Sequence, residues 1–351
     1  MKCSKKCCHE YRTKYIFLWD NFYRLTLLNI SLLFVLNGIC QVKTSPKILT
    51  PEYFGCKEND KSAAYSNAAC MQKAFDFCSQ NGIKLQFSPN ARFYLGKGLN
   101  LKDFVCIDFE GATLVATDTI KVLTITQSES KRWKGCLRNC RIELANIGKC
   151  GIYCPQVSKF HITDCEIASI GKYAVGVNIE HGFEVFVDNV HFEGWDIYST
   201  GIKVTTNDCH FSDCVMIDCY TAIDNSGSNF YERMHAWMLP RYIIGSTYFR
   251  NRTGLTFLNQ CFCDTYANAF AIDDVCEMHI AQLKLYHNKD IWKKPYDKIN
   301  AMVFNFKNFH TATGSKIYIS DSCIGELYLE GKDRQVFSNI KNKIQIFNTN
   351  Y

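Results

Sequence analysis

The feature that most constrains the fold is a repeat of about 25 residues that runs from Asn139 to Asp218. Four short segments align within it, and their first residues lie 25, 25 and 24 positions apart: Asn139, Asp164, Asn189 and Asp213. A second set of segments starts at three glycines that are also 25 positions apart: Gly151, Gly176 and Gly201. A fixed period of this length indicates a solenoid, in which each repeat forms one coil stacked on the last.

Each period contains three short runs in which apolar and polar residues alternate, and this pattern is typical of strands. Three strands per coil of about 25 residues predict an all-β fold, a parallel β-helix. Equivalent residues of successive coils would then stack about 4.8 Å apart. A helical repeat is excluded because glycine recurs and no 3.6-residue apolar stripe forms. The predicted inward columns are apolar or thiol: Cys140, Cys165, Val190, Cys214 and Ile142, Ile167, Phe192, Met216.

Composition limits the partners and leaves the state of the cysteines open. The 351 residues allow one or two domains, and the net charge of +6 is too weak to argue for nucleic-acid binding. Twenty cysteines are present, and buried free thiols, some disulfides or a metal site all remain as interpretations. Abundant free thiols would fit a reducing compartment. Of these interpretations, free thiols are favoured and a metal site is the least favoured, because no cysteine pair has histidine partners at zinc-finger spacing; no metal-binding residue is therefore assigned.

The order of segments predicts four regions. Residues 1–40 are read as a signal peptide or a membrane anchor, because a basic start precedes the apolar run Leu25–Cys40. The expected location is therefore secreted or at the cell surface, with membrane contact only through this segment. A linker is expected at 41–61, the β-helix with its capping helix at 62–335, and a C-terminal cap or tail at 336–351.

One helix and one irregular stretch interrupt the predicted strands. The capping helix is expected over Ala63–Gln80, with Asn81-Gly82 as its end and with Cys70, Ala74, Phe77 and Cys78 on its packing face. Beyond Asn225 the period is no longer readable. We therefore expect Ser226–Arg241 to form a longer loop or an irregular coil.

The region from Thr50 to Val115 resembles the start of the pectate-lyase-like right-handed β-helix superfamily, in particular its bacteriophage tail-spike and polysaccharide-depolymerase branch. This chain departs from the family pattern at Lys61-Ser62-Ala63-Ala64, where those proteins often have an Asp-Asp-Thr turn. The resemblance implies right-handed coils, a polysaccharide partner and a homotrimer. It does not fix an activity, because the superfamily includes lyases, hydrolases, epimerases and inert binding modules. The segments that carry it are Pro51–Cys56, Ala69–Phe75, Phe87-Ser88-Pro89 with Tyr94, and Gly111–Leu114.

Cleavage of a polysaccharide requires an acid and a base, and two carboxyl groups serve this purpose in hydrolases. The densest group of such residues on one predicted flank gives the catalytic candidates: Glu166, His191, Glu193 and Asp196, with Asp208 beside them. The substrate-binding candidates are Lys203, His210, His235 and Trp237. The competing interpretation is that the charged residues are solvated surface groups and that Trp237 packs in the core.

Other acidic residues have structural explanations. Asp164 and Asp213 begin coils and are read as corner residues that make turn hydrogen bonds. An acidic group at Asp273, Asp274 and Glu277 could hold a hard cation, but a solvated turn is the favoured interpretation. No cofactor is predicted, and Ca²⁺ is expected only if the reaction is that of a lyase. Two functions follow: a polysaccharide hydrolase or lyase, or a non-catalytic glycan-binding or structural β-helix.

Overall fold

The computed structural model describes residues 48–103, 106–128, 135–239, 244–286, 302–306, 315–324 and 344–347. These residues form a parallel β-solenoid with one α-helix at its N-terminal end. The predicted leader at 1–40 and most of the predicted cap at 336–351 lie outside them. Within the described residues, no helix is both long and apolar enough to span a membrane.

Successive coils pair through three series of parallel strands, which we call ladders 1, 2 and 3 in the order in which each coil visits them. In ladder 1 every strand pairs in parallel with its equivalent in the next coil. Its strands are β1 (Arg92–Leu95), β4 (Thr113–Ala116), β7 (Arg141–Glu143), the end of β8 (Cys150–Ile170), the end of β10 (Gly182–Gly194), β13 (Val215–Ile217), β16 (His235–Trp237), β19 (Phe262–Asp264), β22 (Lys284–Tyr286) and β25 (Cys323–Ile324).

Ladder 2 follows the first corner of each coil. It contains β2 (Leu99–Lys102), β5 (Lys121–Thr126), the start of β8, β9 (Val175–Ile179), β11 (Thr200–Val204), β14 (Thr221–Asn225), β17 (Thr247–Asn251), β20 (Asn268–Ile272) and β23 (Met302–Phe306).

Ladder 3 completes the coil. It contains β3 (Cys106–Asp108), β6 (Gly135–Arg138), the middle of β8, the start of β10, β12 (His210–Ser212), β15 (Asn229–Glu232), β18 (Gly254–Asn259), β21 (Cys276–Ala281), β24 (Lys316–Ser320) and β26 (Ile344–Phe347). Because β8 and β10 continue around corners for 21 and 13 residues, a division of every coil into three separate strands is not confirmed.

The predicted inward columns are confirmed, because all eight residues are buried. Their size also explains the recurring glycines. A Cβ atom added at Gly176 would lie 2.6 Å from Cδ1 of Phe192, and one at Gly151 would lie 2.9 Å from Cγ2 of Ile167. The glycine column on ladder 2 therefore leaves room for the large apolar side chains that ladder 1 sends into the core.

The corner between ladders 3 and 1 is built from residues in the left-handed conformation. Asn139, Asp164, Asn189 and Asp213 have φ angles of 50–55°, and Asn and Asp adopt this conformation more readily than most residues. Their role as corner residues is confirmed. Their side chains bond between coils, since Nδ2 of Asn189 donates to Oδ1 of Asp164 at 2.7 Å.

The helix prediction is correct within one residue at each end. Helix α1 spans Ala64–Asn81 and ends at Gly82, whose φ is 62°. It packs against β1 and β2 through Ala68, Met71, Phe75 and Cys78, among others. The predicted packing face was partly wrong, because Phe77 is 43% exposed. Before the helix, residues 51–54 form a 3-10 turn, which ends at Gly55 with φ 95°.

The expectation of an irregular stretch after Asn225 is wrong for the part that the structure describes. The inward residues Met216, Ala236, Cys263 and Leu285 are partners in consecutive coils, so the coils here are 20, 27 and 22 residues long. The strands remain regular, and only the corners differ in length from coil to coil. Equivalent residues are therefore no longer a constant number of positions apart in the sequence. His235 and Trp237 consequently lie on strand β16 and not in a loop.

Most cysteines that the structure describes are buried free thiols in the core, as the inward columns required. Among the described residues, Cys70 is partly exposed and Cys323 is exposed. Cys106 and Cys136, which are partner residues on adjacent coils of ladder 3, form a disulfide. Burial raises the pKa of the Cys165 thiol to about 12 and that of the Cys214 thiol to about 12. These core thiols are therefore protonated and unreactive at neutral pH.

Candidate functional site

The outward side chains of ladder 1 form a continuous face, which we call the ladder-1 face. Two columns run along it. In the first, successive residues are partners in adjacent coils: Arg141, Glu166, His191, Val215, His235, Phe262 and Lys284. The second contains Glu143 and, beyond a register shift between Phe192 and Gly194, Glu193, Ile217, Trp237, Asp264 and Tyr286. Ala168, the partner of Glu143, is buried at this shift.

Three of the predicted catalytic residues come together on this face. Glu166 and His191 are partners on adjacent coils, and Glu193 lies two positions beyond His191 on the same strand. A coil spacing of about 4.8 Å and a two-residue strand step of about 6.8 Å put the backbones of Glu166 and Glu193 about 8 Å apart. The Nε2 atom of His191 is buried and has no hydrogen-bond partner among the described residues. A buried polar atom of this kind is satisfied by a bound water or by a ligand, or it has a catalytic role.

Two arginines are engaged by carboxylates at the N-terminal end of the face. Arg92 binds Glu143 with both guanidinium nitrogens, one of them 2.8 Å from Oε1. Arg141 lies between two acids, with Nε 3.4 Å from Glu143 and Nη1 3.5 Å from Oε2 of Glu166. Arg141 thus connects the two carboxylates across adjacent coils.

A groove of about 780 Å³ runs beside Glu166 along the corner between ladders 3 and 1. Its charged lining includes the carboxylates of Glu110, Asp164 and Glu166 and the guanidinium of Arg141. Glu110 also pairs with Lys84 at 3.1 Å. Carboxylates thus outnumber cations on the wall of the groove.

The structure places four other predicted residues away from this cluster. Asp196 lies in the turn after β10, where its Oδ1 accepts a hydrogen bond from the backbone N–H of Ile197 at 2.7 Å. Asp208 is a left-handed corner residue before ladder 3, with φ 58°. Lys203 lies on β11 of ladder 2. His210 lies on β12 of ladder 3.

His210 belongs to a column of stacked rings on the outside of ladder 3. Neighbouring ring centroids are 4.6–5.1 Å apart along this column. Each ring face is covered by the ring of the next coil, so these residues present edges to solvent and act mainly as a structural stack. The column consists of His161, Phe186, His210, Phe230, Phe257, His279 and Tyr318.

His235 and Trp237 do lie on the ladder-1 face, two coils beyond Glu193. They lie beside Asp264, which the sequence interpretation missed. Asp264 is the partner of Trp237 in one direction and of Tyr286 in the other, and these rings are 36% and 45% exposed. The available signal was the alternation in Phe262-Cys263-Asp264, but the unequal coil lengths concealed its alignment with Trp237.

The environments of His235 and Asp264 shift both groups toward their neutral forms. Burial lowers the pKa of His235, and the nearby Asp264 carboxylate opposes this change. Burial raises the pKa of Asp264, against hydrogen bonding from Thr265 and attraction to His235 and Lys284. A carboxyl group with a raised pKa between two exposed aromatic rings is suited to contact with a sugar.

Metal binding gains no support from the acidic group at Asp273, Asp274 and Glu277. Asp273 accepts a hydrogen bond from Arg250 at 2.8 Å, and Glu277 contacts His279 at 2.8 Å. In the part of the chain that the structure describes, no three or more His, Cys, Asp and Glu residues are grouped to hold a metal ion. The Ca²⁺ expected for a lyase therefore has no ligand set among these residues.

Comparison with known proteins finds similarity in structure but not in sequence. No protein-family model matches the chain, and no curated protein matches it. The tailspike of Acinetobacter phage vb_AbaP_AS12 superposes with a TM-score of 0.51 at 10% identity over 79% of this chain. The match covers 56% of the tailspike, so the chain spans a little over half its length.

Two further solved structures are similar at lower scores. A protein of Geobacillus virus E2 has a TM-score of 0.45 at 12% identity and covers 92% of this chain and 62% of its own. The endo-xylogalacturonan hydrolase of Aspergillus tubingensis has a TM-score of 0.42 at 11% identity and covers 79% and 91%. At such identities the likeness concerns the fold alone. The strand ladders and the likeness to the phage tailspike confirm the parallel β-helix fold that the sequence resemblance implied.

Proposed function

We propose that this protein binds a polysaccharide along the ladder-1 face and hydrolyses its glycosidic bonds. The observation that carries the proposal is the grouping of Glu166, His191 and Glu193 on one outer face beside a groove. An extended polymer can follow the columns of this face from coil to coil. Exposed rings at Trp237 and Tyr286 lie further along the same path and provide apolar contacts for sugar rings.

The backbone separation of Glu166 and Glu193 leaves room for a water molecule between their side chains, as an inverting reaction requires. Inverting glycosidases place their carboxyl groups about 6.5–9.5 Å apart, and the backbones of these two residues lie about 8 Å apart. Glu166, which lies beside Arg141, would take a proton from water as the water oxygen attacks the anomeric carbon. Glu193 would donate a proton to the departing glycosidic oxygen as the carbon–oxygen bond breaks. His191, between them, would hydrogen bond the substrate or the attacking water.

The arginine contacts favour hydrolysis over elimination. A lyase needs a cation to neutralise the carboxylate of a uronate while a base removes the neighbouring proton. Arg92 is bound by Glu143, and Arg141 is shared between Glu143 and Glu166. Both cations at this end of the face are thus already neutralised. The excess of carboxylates in the groove would also repel a polyuronate, so the expected substrate is a neutral polysaccharide.

The test is to incubate the purified full-length protein with neutral polysaccharides such as dextran and with polygalacturonate. New reducing ends should appear with a neutral polymer, without the ultraviolet absorbance of unsaturated uronate products. Glu193→Gln should lower the rate by about 10²–10⁴-fold, the usual contribution of a general acid. Glu184→Gln is the matched control, because Glu184 is a partly exposed acid on ladder 3 that pairs with Lys159 at 3.5 Å.

The second candidate function is glycan binding without cleavage, which the exposed rings of Trp237 and Tyr286 favour. Retention on a polysaccharide without new reducing ends would support it and contradict hydrolysis. Unsaturated products would instead establish a lyase. Export to the cell surface and assembly as a homotrimer remain part of this proposal, since an extracellular polymer is the intended partner.

A further inference from the structure

Two tyrosines occupy an unusual backbone conformation at the corner between ladders 1 and 2. Tyr173 and Tyr198 have φ angles of 60° and 63°. They lie in consecutive coils, 25 positions apart. Their rings stack in parallel, with centroids 5.2 Å apart and an angle of 2° between the planes. A bulky side chain in the left-handed region costs free energy, so one such residue is uncommon and two in consecutive coils need a reason.

Core packing does not supply that reason. The Tyr173 side chain is 70% exposed and that of Tyr198 is 46% exposed. Glycine or asparagine would satisfy the turn without strain. Tyr173 lies at one end of the stack. Among the described residues, no other ring stacks on the face of Tyr173 that is turned away from Tyr198, in contrast to the ring faces within the column on ladder 3.

The remainder of the corner fixes the position of the pair. Tyr220 meets Tyr198 edge to face, with centroids 5.2 Å apart, and it is partly buried. The ammonium group of Lys172 lies 5.3 Å from the ring centroid of Tyr173 and 5.8 Å from that of Tyr198. This arrangement combines a flat aromatic surface with a hydrogen-bond donor at its margin.

The corner adjoins the proposed catalytic group. Tyr198 follows Glu193 by five residues, so its backbone is at most about 18 Å away. The turn between them is held by Asp196, which accepts from the N–H of Ile197 at 2.7 Å. Tyr220 is tied to the same corner, because its N–H donates to the hydroxyl of Ser199 at 3.1 Å. A polymer that reaches Glu193 can therefore extend over the rings.

We propose that Tyr173 and Tyr198 form a sugar-binding subsite, in which one pyranose ring of the polysaccharide stacks on the exposed ring of Tyr173. The apolar face of the sugar contacts the ring, and its hydroxyl groups accept hydrogen bonds from Lys172. This inference rests on the proposed function only for the class of ligand. It adds a binding site that lies off the ladder-1 face, at the corner that follows the acids in each coil on the way to ladder 2.

The experiment is affinity electrophoresis of the full-length protein in gels that contain dextran or polygalacturonate at increasing concentration. Tyr173→Ala should raise the dissociation constant for the retarding polymer about tenfold, as expected for an exposed aromatic anchor. Tyr173→Phe should bind like the wild type, because it keeps the ring face. Tyr53→Ala is the matched control, since Tyr53 is 73% exposed at the other end of the described chain. Equal unfolding temperatures would show that the variants are folded.

The outcomes separate this inference from the proposed function. If Tyr173→Ala binds as tightly as Tyr53→Ala while the wild type is retarded and cleaves, the subsite is refuted and hydrolysis stands. If Tyr173→Ala is no longer retarded, while Glu193→Gln is still retarded but no longer cleaves the polymer, the subsite and the hydrolysis are both supported. If no polymer retards the wild type, the subsite and the polysaccharide partner are both overturned.

Discussion

The packing of the glycine column against the core can be tested by adding one methyl group. In Gly176→Ala the new Cβ would lie 2.6 Å from Cδ1 of Phe192 and 2.6 Å from the carbonyl oxygen of Gly201. Neither group can yield cheaply, because one is a buried ring and the other is backbone in a strand. Overpacking of this kind costs about 1–3 kcal/mol, and we expect about 3 kcal/mol here.

Gly201→Ala is a matched control in the next coil. Its Cβ would approach the carbonyl oxygen of Ala222 at 2.7 Å, nearly the same distance as at Gly176, but the nearest side-chain atom is Cγ of Met216 at 3.3 Å. Methionine adapts its shape more easily than phenylalanine. We therefore expect Gly201→Ala to cost only about 1 kcal/mol, at the lower end of the overpacking range.

Urea unfolding followed by circular dichroism measures both free energies. Phe192→Leu in the Gly176→Ala background provides the decisive comparison, because it removes the ring atoms that the methyl group would meet. The free energy of unfolding of the double variant should be about 1 kcal/mol higher than the sum of the two single effects predicts. Equal losses for the two glycine variants, or strict additivity with Phe192→Leu, would refute the assigned inward register.

Two further variants test buried polar groups. Asn225 is fully buried, donates to Oδ1 of Asn251 at 2.9 Å and accepts from the hydroxyl of Tyr231 at 2.9 Å. Asn225→Ala should lower the free energy of unfolding, measured in urea, by about 3–5 kcal/mol, because several partners lose their hydrogen bonds. A decrease of less than about 1 kcal/mol would contradict the network. Burial raises the pKa of Asp264, so its stabilising contribution is complete below the unfolded-state pKa and is lost as pH rises through the folded-state pKa. Asp264→Asn should therefore raise the unfolding temperature at pH 7 but not near pH 3, and a loss at pH 7 would oppose the burial argument.

Sequence reasoning reached the fold because the relevant signals are local. Alternation with period two decides which side chains point inward, and repetition at 25 positions aligns them between coils. Cys165 and Phe192 could thus be assigned to the core without any knowledge of the corners. The same reasoning placed Glu166 beside His191, since both lie in coils of equal length.

The site was recovered only in part, because distance around the solenoid depends on where the chain turns. Asp208 and His210 follow Glu193 closely in sequence, yet the intervening corners carry them to ladder 3. Conversely, Asp264 meets Trp237 across 27 positions, in a region where coil lengths are unequal.

The sequence by itself determined that this chain stacks in parallel coils, which residues fill the interior and where helix α1 begins and ends. These properties follow from the period, from alternation and from a glycine stop. Only the tertiary structure decided which outward residues share a flank, that the rings of Tyr173 and Tyr198 stack, and that Arg141 lies between two acids. The physical reason is that the flank on which an outward residue lies depends on the length of each corner and on contacts with neighbouring coils. Where corners differ in length, as they do beyond Asn225, the sequence carries no period that would reveal this.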